Sequence, residues 1–170
     1  MTYFGFNFLV YGFLGYFFEI FVRFAQGYTP KAGIATFGPF VTIYGLSIAS
    51  IYFIFGYFEK KIKTKKWIKI LILFLLSGTL ISLFEFIGGN LIEKLYGVVY
   101  WNYDKMLFNL GHYISLETAF IWGLLPSLLY FFFKPVTDKL YELSNKKIII
   151  ILSIMMILNI IIKYLINLFF

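Results

Sequence analysis

Five stretches of mostly apolar residues follow one another along the chain, and they constrain the fold more than any other feature. An α-helix needs ~20 residues to cross the ~30 Å hydrocarbon core of a bilayer. The predicted spans are approximately residues 3–22, 39–58, 67–87, 111–133 and 148–170. Hydrophobic residues make up 61% of the chain and charged residues only 14%, whereas about a quarter of a soluble domain is charged. We therefore predict an all-α, polytopic helical membrane protein with about five transmembrane helices, forming a single integral membrane domain over residues 1–170.

The positive charge is concentrated in two short connectors. Ten of the 15 Lys and Arg residues lie in 60–69 and 134–147. The connectors of the opposite side hold four cations, which are Arg23, Lys31, Lys94 and Lys105. Cytoplasmic loops of membrane proteins are enriched in Lys and Arg, so we predict a multi-pass protein of the cell membrane with its N-terminus in the cytoplasm and its C-terminus outside. The first apolar stretch lacks a basic leader and a small-x-small cleavage site, so we expect it to stay in the mature protein.

The hairpin at residues 59–66 (E-K-K-I-K-T-K-K) is strongly charged. We expect it to set the orientation of the protein in the membrane, and we favour this role rather than that of a nucleotide or lipid headgroup site. Charge confined to short loops does not make the basic folded face that nucleic acid requires, and no nucleic-acid partner is predicted. The chain has no cysteine, which excludes disulfides and thiolate metal sites. No cofactor and no metal site is predicted.

Small residues and one carboxylate share a helical face in both the first and the third span. The first face consists of Gly12, Gly15, Glu19 and Arg23, and the second consists of Gly78, Ser82, Glu85 and Gly89. Small residues on one face allow a neighbouring helix to approach closely. The similar placement of the two carboxylates hints at an internal parallel repeat.

The second span is predicted to begin at Gly38–Pro39, because proline is well tolerated in a first helical turn. Tyr44 and Gly45 follow about one turn later. We interpret Gly38, Pro39, Tyr44 and Gly45 as a structural motif at the same end of the protein as the two carboxylates.

Polar and aromatic side chains concentrate between residues 100 and 122. The segment 88–110 is too polar to span and too apolar for an ordinary loop, so we predict an interfacial or re-entrant segment before the fourth span. If the chain crosses the membrane five times, this segment lies at the outer surface together with the ends of the first and third spans that contain Glu19 and Glu85. The predicted ligand-binding residues of this outward-facing site are Glu19, Glu85, Trp101, Asn102, Tyr103, Asp104, Asn109, His112 and Glu117.

The carboxylates and the histidine leave more than one interpretation open. A buried carboxylate is costly unless it is paired, protonated or hydrated, which favours a functional role. Alternatively, Glu19 pairs with Arg23, and Glu85 and Glu117 only hold helices together. His112 could serve as a proton shuttle or general base. Its spacing of five residues from Glu117 does not predict a couple, and a hydrogen-bonded interface histidine is the more ordinary role.

Several short motifs in matching order give the chain a family resemblance. They are Gly15-Tyr16-Phe17-Phe18-Glu19, Gly38-Pro39, Ile43-Tyr44-Gly45, Glu85, Trp101-Asn102-Tyr103-Asp104, Phe108-Asn109-Leu110-Gly111 and Trp122-Gly123. In these motifs the chain resembles bacterial membrane proteins described as putative ABC-transporter type IV, or ABC-transporter permease-like. It departs from them at two places. Where they have W-D-Y-S, this chain has Trp101-Asn102-Tyr103-Asp104, and where they have Arg, this chain has His112. The resemblance implies a small polytopic membrane protein with a transport role.

Three functions from different classes remain. The first is a transport-related membrane component, either permease-like or substrate-capturing, and the resemblance favours it. The second is a membrane enzyme that acts on a lipid or lipid-linked substrate at the outer leaflet, with Glu85, Glu117 or His112 as acid or base. The third is a non-catalytic scaffold or regulator. The chain contains no Walker A motif or other nucleotide loop, so the predicted partners are the lipid bilayer, a separate ATPase or other membrane subunits, and further copies of the chain.

Overall fold

The computed structural model describes residues 1–25 and 36–169, and all regular structure within these ranges is helical. The elements are α1 (Thr2–Ala25), α2 (Thr42–Glu59), α3 (Lys66–Tyr96), α4 (Leu116–Leu128), a π-helical turn (Leu129–Phe133), α5 (Lys134–Leu143) and α6 (Lys146–Phe169). The prediction of an all-α fold is confirmed. Lys31 and residue 170, the end of the last predicted span, lie outside the described residues.

Within residues 1–25 and 36–169, four helical stretches are long and apolar enough to cross a membrane. They are Thr2–Phe24, Lys66–Leu95, Leu116–Leu143 and Lys146–Asn167. In the last of them only 6% of the most apolar window is buried within the protein, which is typical of a helix with lipid around most of its circumference. The shorter α2 coincides with the predicted second span but is not one of these four, so the count of five transmembrane helices stays a prediction.

α3 continues well beyond residue 87, where the third span was predicted to end. It has 31 residues, which corresponds to about 46 Å of helix. Gly88 and Gly89 lie inside it, and it ends only at Gly97, whose φ of 64° is left-handed and whose N–H bonds to the Glu93 carbonyl. The first part of the predicted interfacial or re-entrant segment is therefore helix, and the irregular part runs from residue 97 to residue 115.

α4 begins at Leu116 rather than at residue 111. Ser115 and Thr118 form a capping box, in which each side chain accepts a hydrogen bond from the backbone N–H of the other. This arrangement satisfies N–H groups that the first helical turn leaves free. Pro126 lies inside α4, and the helix continues into α5 through the π-helical turn.

The chain forms two compact units, of which the first comprises residues 1–50 and 139–170. Here α1 packs against α6 and against the beginning of α2. The backbones of α1 and α2 come close at Gly45, where an added Cβ would lie 2.5 Å from the Phe8 carbonyl oxygen. Phe8, Phe40 and Ala49 form a small buried core at this contact.

The turn before α2 is tied to α1 by its backbone. Gly38 has a φ of +125°, which favours glycine, and the Val41 N–H bonds to the Gly12 carbonyl at 2.9 Å. Gly38 and Pro39 thus lie in a bend before the helix, and α2 itself begins at Thr42.

The second unit comprises residues 51–138. Its main contact is the packing of α3 along α4, and two glycines bring their backbones together. A Cβ added to Gly78 would lie 2.7 Å from the Ala119 carbonyl oxygen, and one added to Gly123 would lie 2.8 Å from the Phe74 carbonyl oxygen. This close approach positions the residues of the candidate site.

Candidate functional site

The face of α3 that contains Glu85 is buried along its length. Gly78, Ser82, Glu85 and Gly89 are all buried, as their i, i+4, i+7, i+11 spacing predicts. The face contacts α4 and the irregular segment 97–115, which we name the aromatic loop. Glu85 is therefore enclosed by protein in the middle part of α3, where the neighbouring residues are mostly apolar.

Both carboxylate oxygens of Glu85 accept a hydrogen bond from an aromatic side chain. Tyr103 of the aromatic loop donates from its hydroxyl to Oε1 at 2.9 Å, and Trp122 of α4 donates from Nε1 to Oε2 at 2.8 Å. Glu85 is only 6% exposed. Hydrogen bonds to a charged acceptor are about twice as strong as neutral ones, so this pair of donors fixes the carboxylate and ties three segments of the second unit together.

A second tyrosine and a second glutamate hold the other end of the aromatic loop. The Tyr113 hydroxyl donates to Glu93 Oε2 of α3 at 2.9 Å. The Tyr113 ring lies directly over Gly89, where an added Cβ would come within 2.4 Å of it. Burial, together with the hydrogen bond to Glu93 and its charge, raises the pKa of Tyr113 to about 12. Tyr113 thus stays neutral at physiological pH and acts as a fixed donor.

The exposed surface of the aromatic loop holds a polar cluster of Asn102, Asp104 and His112. Asn102 donates from Nδ2 to Asp104 at 2.9 Å, and the Asp104 N–H donates to Asn102 Oδ1 at 2.6 Å. His112 Nδ1 lies 2.8 Å from both Asp104 carboxylate oxygens. Hydrogen bonds from Asn102, and then the contact with His112, hold the pKa of Asp104 below its ordinary value. The cluster therefore presents a carboxylate whose orientation is fixed by its neighbours.

The Trp101 ring lies edge-on to Tyr113, at a centroid distance of 5.5 Å. Its Nε1 is buried, and no acceptor within residues 1–25 and 36–169 reaches it. A buried donor of this kind is costly unless something else accepts its hydrogen bond.

The two remaining predicted residues of this unit lie at its surface. Asn109 is exposed and donates to the Gly111 carbonyl at 3.5 Å, next to Phe108 and Gly111, which both have positive φ. Glu117 is exposed in the first turn of α4, where a negative charge suits the helix dipole. Within the described part of the chain the Glu117 side chain makes no hydrogen bond or ion pair, so its predicted role in binding stays a prediction.

Glu19 belongs to the first unit, where Tyr44 and Gly45 of the structural motif also lie. It accepts from Arg23 Nε at 2.9 Å and from the Tyr44 hydroxyl at 3.0 Å. The Tyr44 ring lies against Gly15, whose added Cβ would come within 2.6 Å of it. The alternative interpretation of Glu19 as an ion pair with Arg23 is confirmed, and its membership of a site with Glu85 stays a prediction.

Sequence reasoning missed Glu93, Tyr113 and Trp122 as parts of the arrangement. A signal for Glu93 was present, because it continues the buried face of α3 as Glu85, Gly89 and Glu93 at steps of four residues. Nothing in the sequence spacing pairs Trp122 with Glu85, since the two are 37 residues apart and meet only through the packing of α3 on α4.

Comparison with known proteins identifies one family. The family model described as putative ABC-transporter type IV matches residues 6–168 of the 170. The matched range contains Glu19, Glu85 and the whole aromatic loop. No curated protein and no solved structure matches this chain.

Proposed function

Because the chain belongs to the family described as putative ABC-transporter type IV and is a transport-related, multi-pass membrane protein, we propose that its aromatic loop captures a small polar molecule. In this proposal the loop faces the outside, because the lysine-rich connectors 60–69 and 134–147 are expected to lie on the cytoplasmic side. The captured molecule is then passed to a transport pathway that this chain forms with other subunits.

The observation that carries the proposal is the exposed cluster of Asn102, Asp104 and His112 on a loop that is held at both ends. Binding sites need a few polar groups whose positions are fixed in advance. Here the Tyr103–Glu85 and Tyr113–Glu93 hydrogen bonds fix the base of the loop, and the polar cluster lies above them.

The chemistry of the cluster indicates the kind of ligand. Asp104 accepts hydrogen bonds, Asn102 can both donate and accept, and the buried Trp101 Nε1 is a donor without an acceptor among the described residues. We propose a ligand that carries hydroxyl or amino groups on a small flat frame, which the neighbouring aromatic rings can contact.

We further propose that a separate subunit binds any ATP that drives transport. The reason is that the sequence has no Walker A motif, whose glycine-rich loop and lysine are needed to hold the phosphates.

The test is native mass spectrometry of the protein released gently from its membrane, comparing wild type with Asp104→Asn. The matched control is Glu142→Gln, which also neutralises one exposed carboxylate. We expect a small molecule to remain on wild type and on the control but to be lost from Asp104→Asn. If all three proteins retain the same small molecules, or none retains any, the loop is not a capture site.

One observation favours a second candidate, a membrane enzyme. An imidazole whose Nδ1 faces a carboxylate, as His112 faces Asp104, is oriented to act as a general base through Nε2. This candidate predicts that His112→Gln abolishes turnover of a lipid-linked substrate while the retained ligand still binds. The transport proposal predicts that His112→Gln weakens ligand retention itself.

A further inference from the structure

The lysine-rich end of the second unit combines a strong positive charge with a cavity. Residues 59–69 contain six lysines and one glutamate. We name this segment, which joins α2 to α3, the lysine hairpin. Trp67 in the first turn of α3 is 61% exposed. A tryptophan at this position is typical of the level of the lipid headgroups.

The carboxylates near the lysine hairpin are already occupied. Glu59 accepts from the Tyr130 hydroxyl at 2.5 Å and lies 3.9 Å from Lys69 Nζ. Asp138 forms an ion pair with Lys134. Glu59 thus lies next to Lys69 and Asp138 next to Lys134, and neither carboxylate forms an ion pair with the earlier lysines of the hairpin.

Five of the six hairpin lysines make no ion pair within residues 1–25 and 36–169, and three of these five line one cavity. These three, Lys60, Lys63 and Lys65, are exposed. Water and salt screen the repulsion between such exposed charges, and an anion bound among them would be attracted by all three.

The same lysines line an open cavity of about 800 Å³. Its wall also contains Ile62, Thr64, Trp67 and Ile68, together with Glu59 and its neighbour Lys69. A soluble anion such as inorganic phosphate needs only the polar part of this wall. A phospholipid uses both parts, because its phosphate contacts the lysines and its glycerol and upper acyl chains contact the apolar side chains.

The sequence alone favours a role of this hairpin in setting orientation. From the cavity and its mixed wall we propose that the lysine hairpin also binds the headgroup of an anionic phospholipid of the adjacent leaflet. The phosphate lies among Lys60, Lys63 and Lys65, and the Trp67 ring and Ile68 contact the glycerol backbone. The site is distinct from the aromatic loop, since Trp67 and Glu85 are about 27 Å apart along α3.

The test uses purified full-length protein and native mass spectrometry with phosphatidylglycerol or phosphatidylcholine added to the detergent. Three triple variants are compared with wild type. The first is Lys60→Gln, Lys63→Gln, Lys65→Gln, and the second places Arg at the same three positions. The third, a charge-matched control, is Lys94→Gln, Lys139→Gln, Lys147→Gln, which removes three exposed lysines outside the hairpin. Detergent exposes both ends of the protein, so an altered membrane orientation does not affect the result.

We expect wild type, the Arg variant and the control to retain phosphatidylglycerol in preference to phosphatidylcholine. The hairpin Gln variant should lose this preference by a factor of about 10 or more, since each lysine near an anionic headgroup contributes roughly fivefold. An unchanged melting temperature shows that this variant is folded.

Three results would overturn the proposal. One is equal retention of phosphatidylglycerol by wild type and the hairpin Gln variant. Another is an equal loss in the charge-matched control, which would make the effect one of total charge. The third is complete displacement of the lipid by millimolar inorganic phosphate, which would identify the site as one for a free anion.

Discussion

Glu19 in α1 and Glu85 in α3 share a local pattern but have different surroundings. Each follows small residues on an apolar helix, and each accepts a hydrogen bond from a tyrosine hydroxyl. Glu19 is paired with Arg23 four residues later in its own helix, and its side chain is 24% exposed. Glu85 is 6% exposed and accepts from Trp122 of another helix and Tyr103 of the aromatic loop.

The two carboxylates obtain their stabilisation from different parts of the protein. An i, i+4 ion pair forms as soon as the helix forms and contributes little that depends on the rest of the protein. The donors of Glu85 reach it only after α4 and the aromatic loop have assembled on α3. Glu85 should therefore report on the integrity of the whole second unit, whereas Glu19 should report mainly on the contact between α1 and α2.

The largest contrast is expected between Glu85→Ala and Glu19→Ala. Loss of Glu85 leaves buried donors on Tyr103 and Trp122 without their acceptor, and we expect a decrease of about 3 kcal/mol in the free energy of unfolding. Loss of Glu19 should cost about 1 kcal/mol. Reversible unfolding in mixed micelles measures both values, and equal losses would remove the distinction between the two carboxylates.

A second contrast tests the close approach that brings Trp122 to Glu85. Gly78→Ala forces the α3 and α4 backbones apart, because the new Cβ would lie 2.7 Å from the Ala119 carbonyl oxygen, and we expect a loss of about 2 kcal/mol. Gly56→Ala is the control, since nothing lies within 4 Å of its Cβ position. It should be neutral or stabilise by about 0.5 kcal/mol. The same unfolding assay applies, and a similar loss in both variants would contradict the packing argument.

A smaller difference in the free energy of unfolding is expected between variants of the two tyrosine donors, Tyr103 and Tyr44. Tyr103→Phe removes a hydrogen bond from a buried carboxylate and should cost about 1.5 kcal/mol. Tyr44→Phe leaves Glu19 with its Arg23 partner and should cost about 0.5 kcal/mol. Protection of the aromatic loop in hydrogen exchange provides a second measurement, because only Tyr103→Phe should increase exchange in residues 97–115.

The smallest effect is confined to alkaline pH. Tyr113 in the folded protein has a pKa of about 12, raised from the value of 10.0 of a free tyrosine. Its contribution to stability is complete below about pH 10 and is lost as the pH rises from 10 to 12. Tyr113→Phe should remove this part of the decrease in the free energy of unfolding. Plots of that free energy against pH for wild type and variant should therefore converge across that interval. Parallel curves would show that Tyr113 ionises as readily in the folded protein as in the unfolded one.

Much of α3 could be predicted from sequence because its pattern is local. The spacing of Gly78, Ser82, Glu85 and Gly89 places them on one face, and all four are buried. The end of the helix was harder to predict, since paired glycines ordinarily favour a break. Gly89 instead leaves room for the Tyr113 ring, and that requirement depends on a residue 24 positions away in the sequence.

The partners of the carboxylates could not be predicted for a related reason. Tyrosine occurs 14 times in the chain, and no rule of spacing selects Tyr103 for Glu85 or Tyr113 for Glu93. These pairs depend on the path of the aromatic loop, which two residues with positive φ, Phe108 and Gly111, help to determine. Similarly, the contact of His112 with Asp104 follows from the turn between them rather than from a helical repeat.

The position of Glu85 on α3 has a consequence for the choice of membrane. If Trp67 lies at one boundary of the hydrocarbon layer, the apolar length up to Glu85 is about 27 Å, close to the thickness of bilayers with ordinary acyl chains. Beyond that level α3 continues with exposed apolar side chains at Phe86, Ile87 and Leu91, while Glu85 itself is enclosed by protein. Bilayers of ordinary or greater thickness should therefore suit this protein, whereas thinner ones would require α3 to tilt.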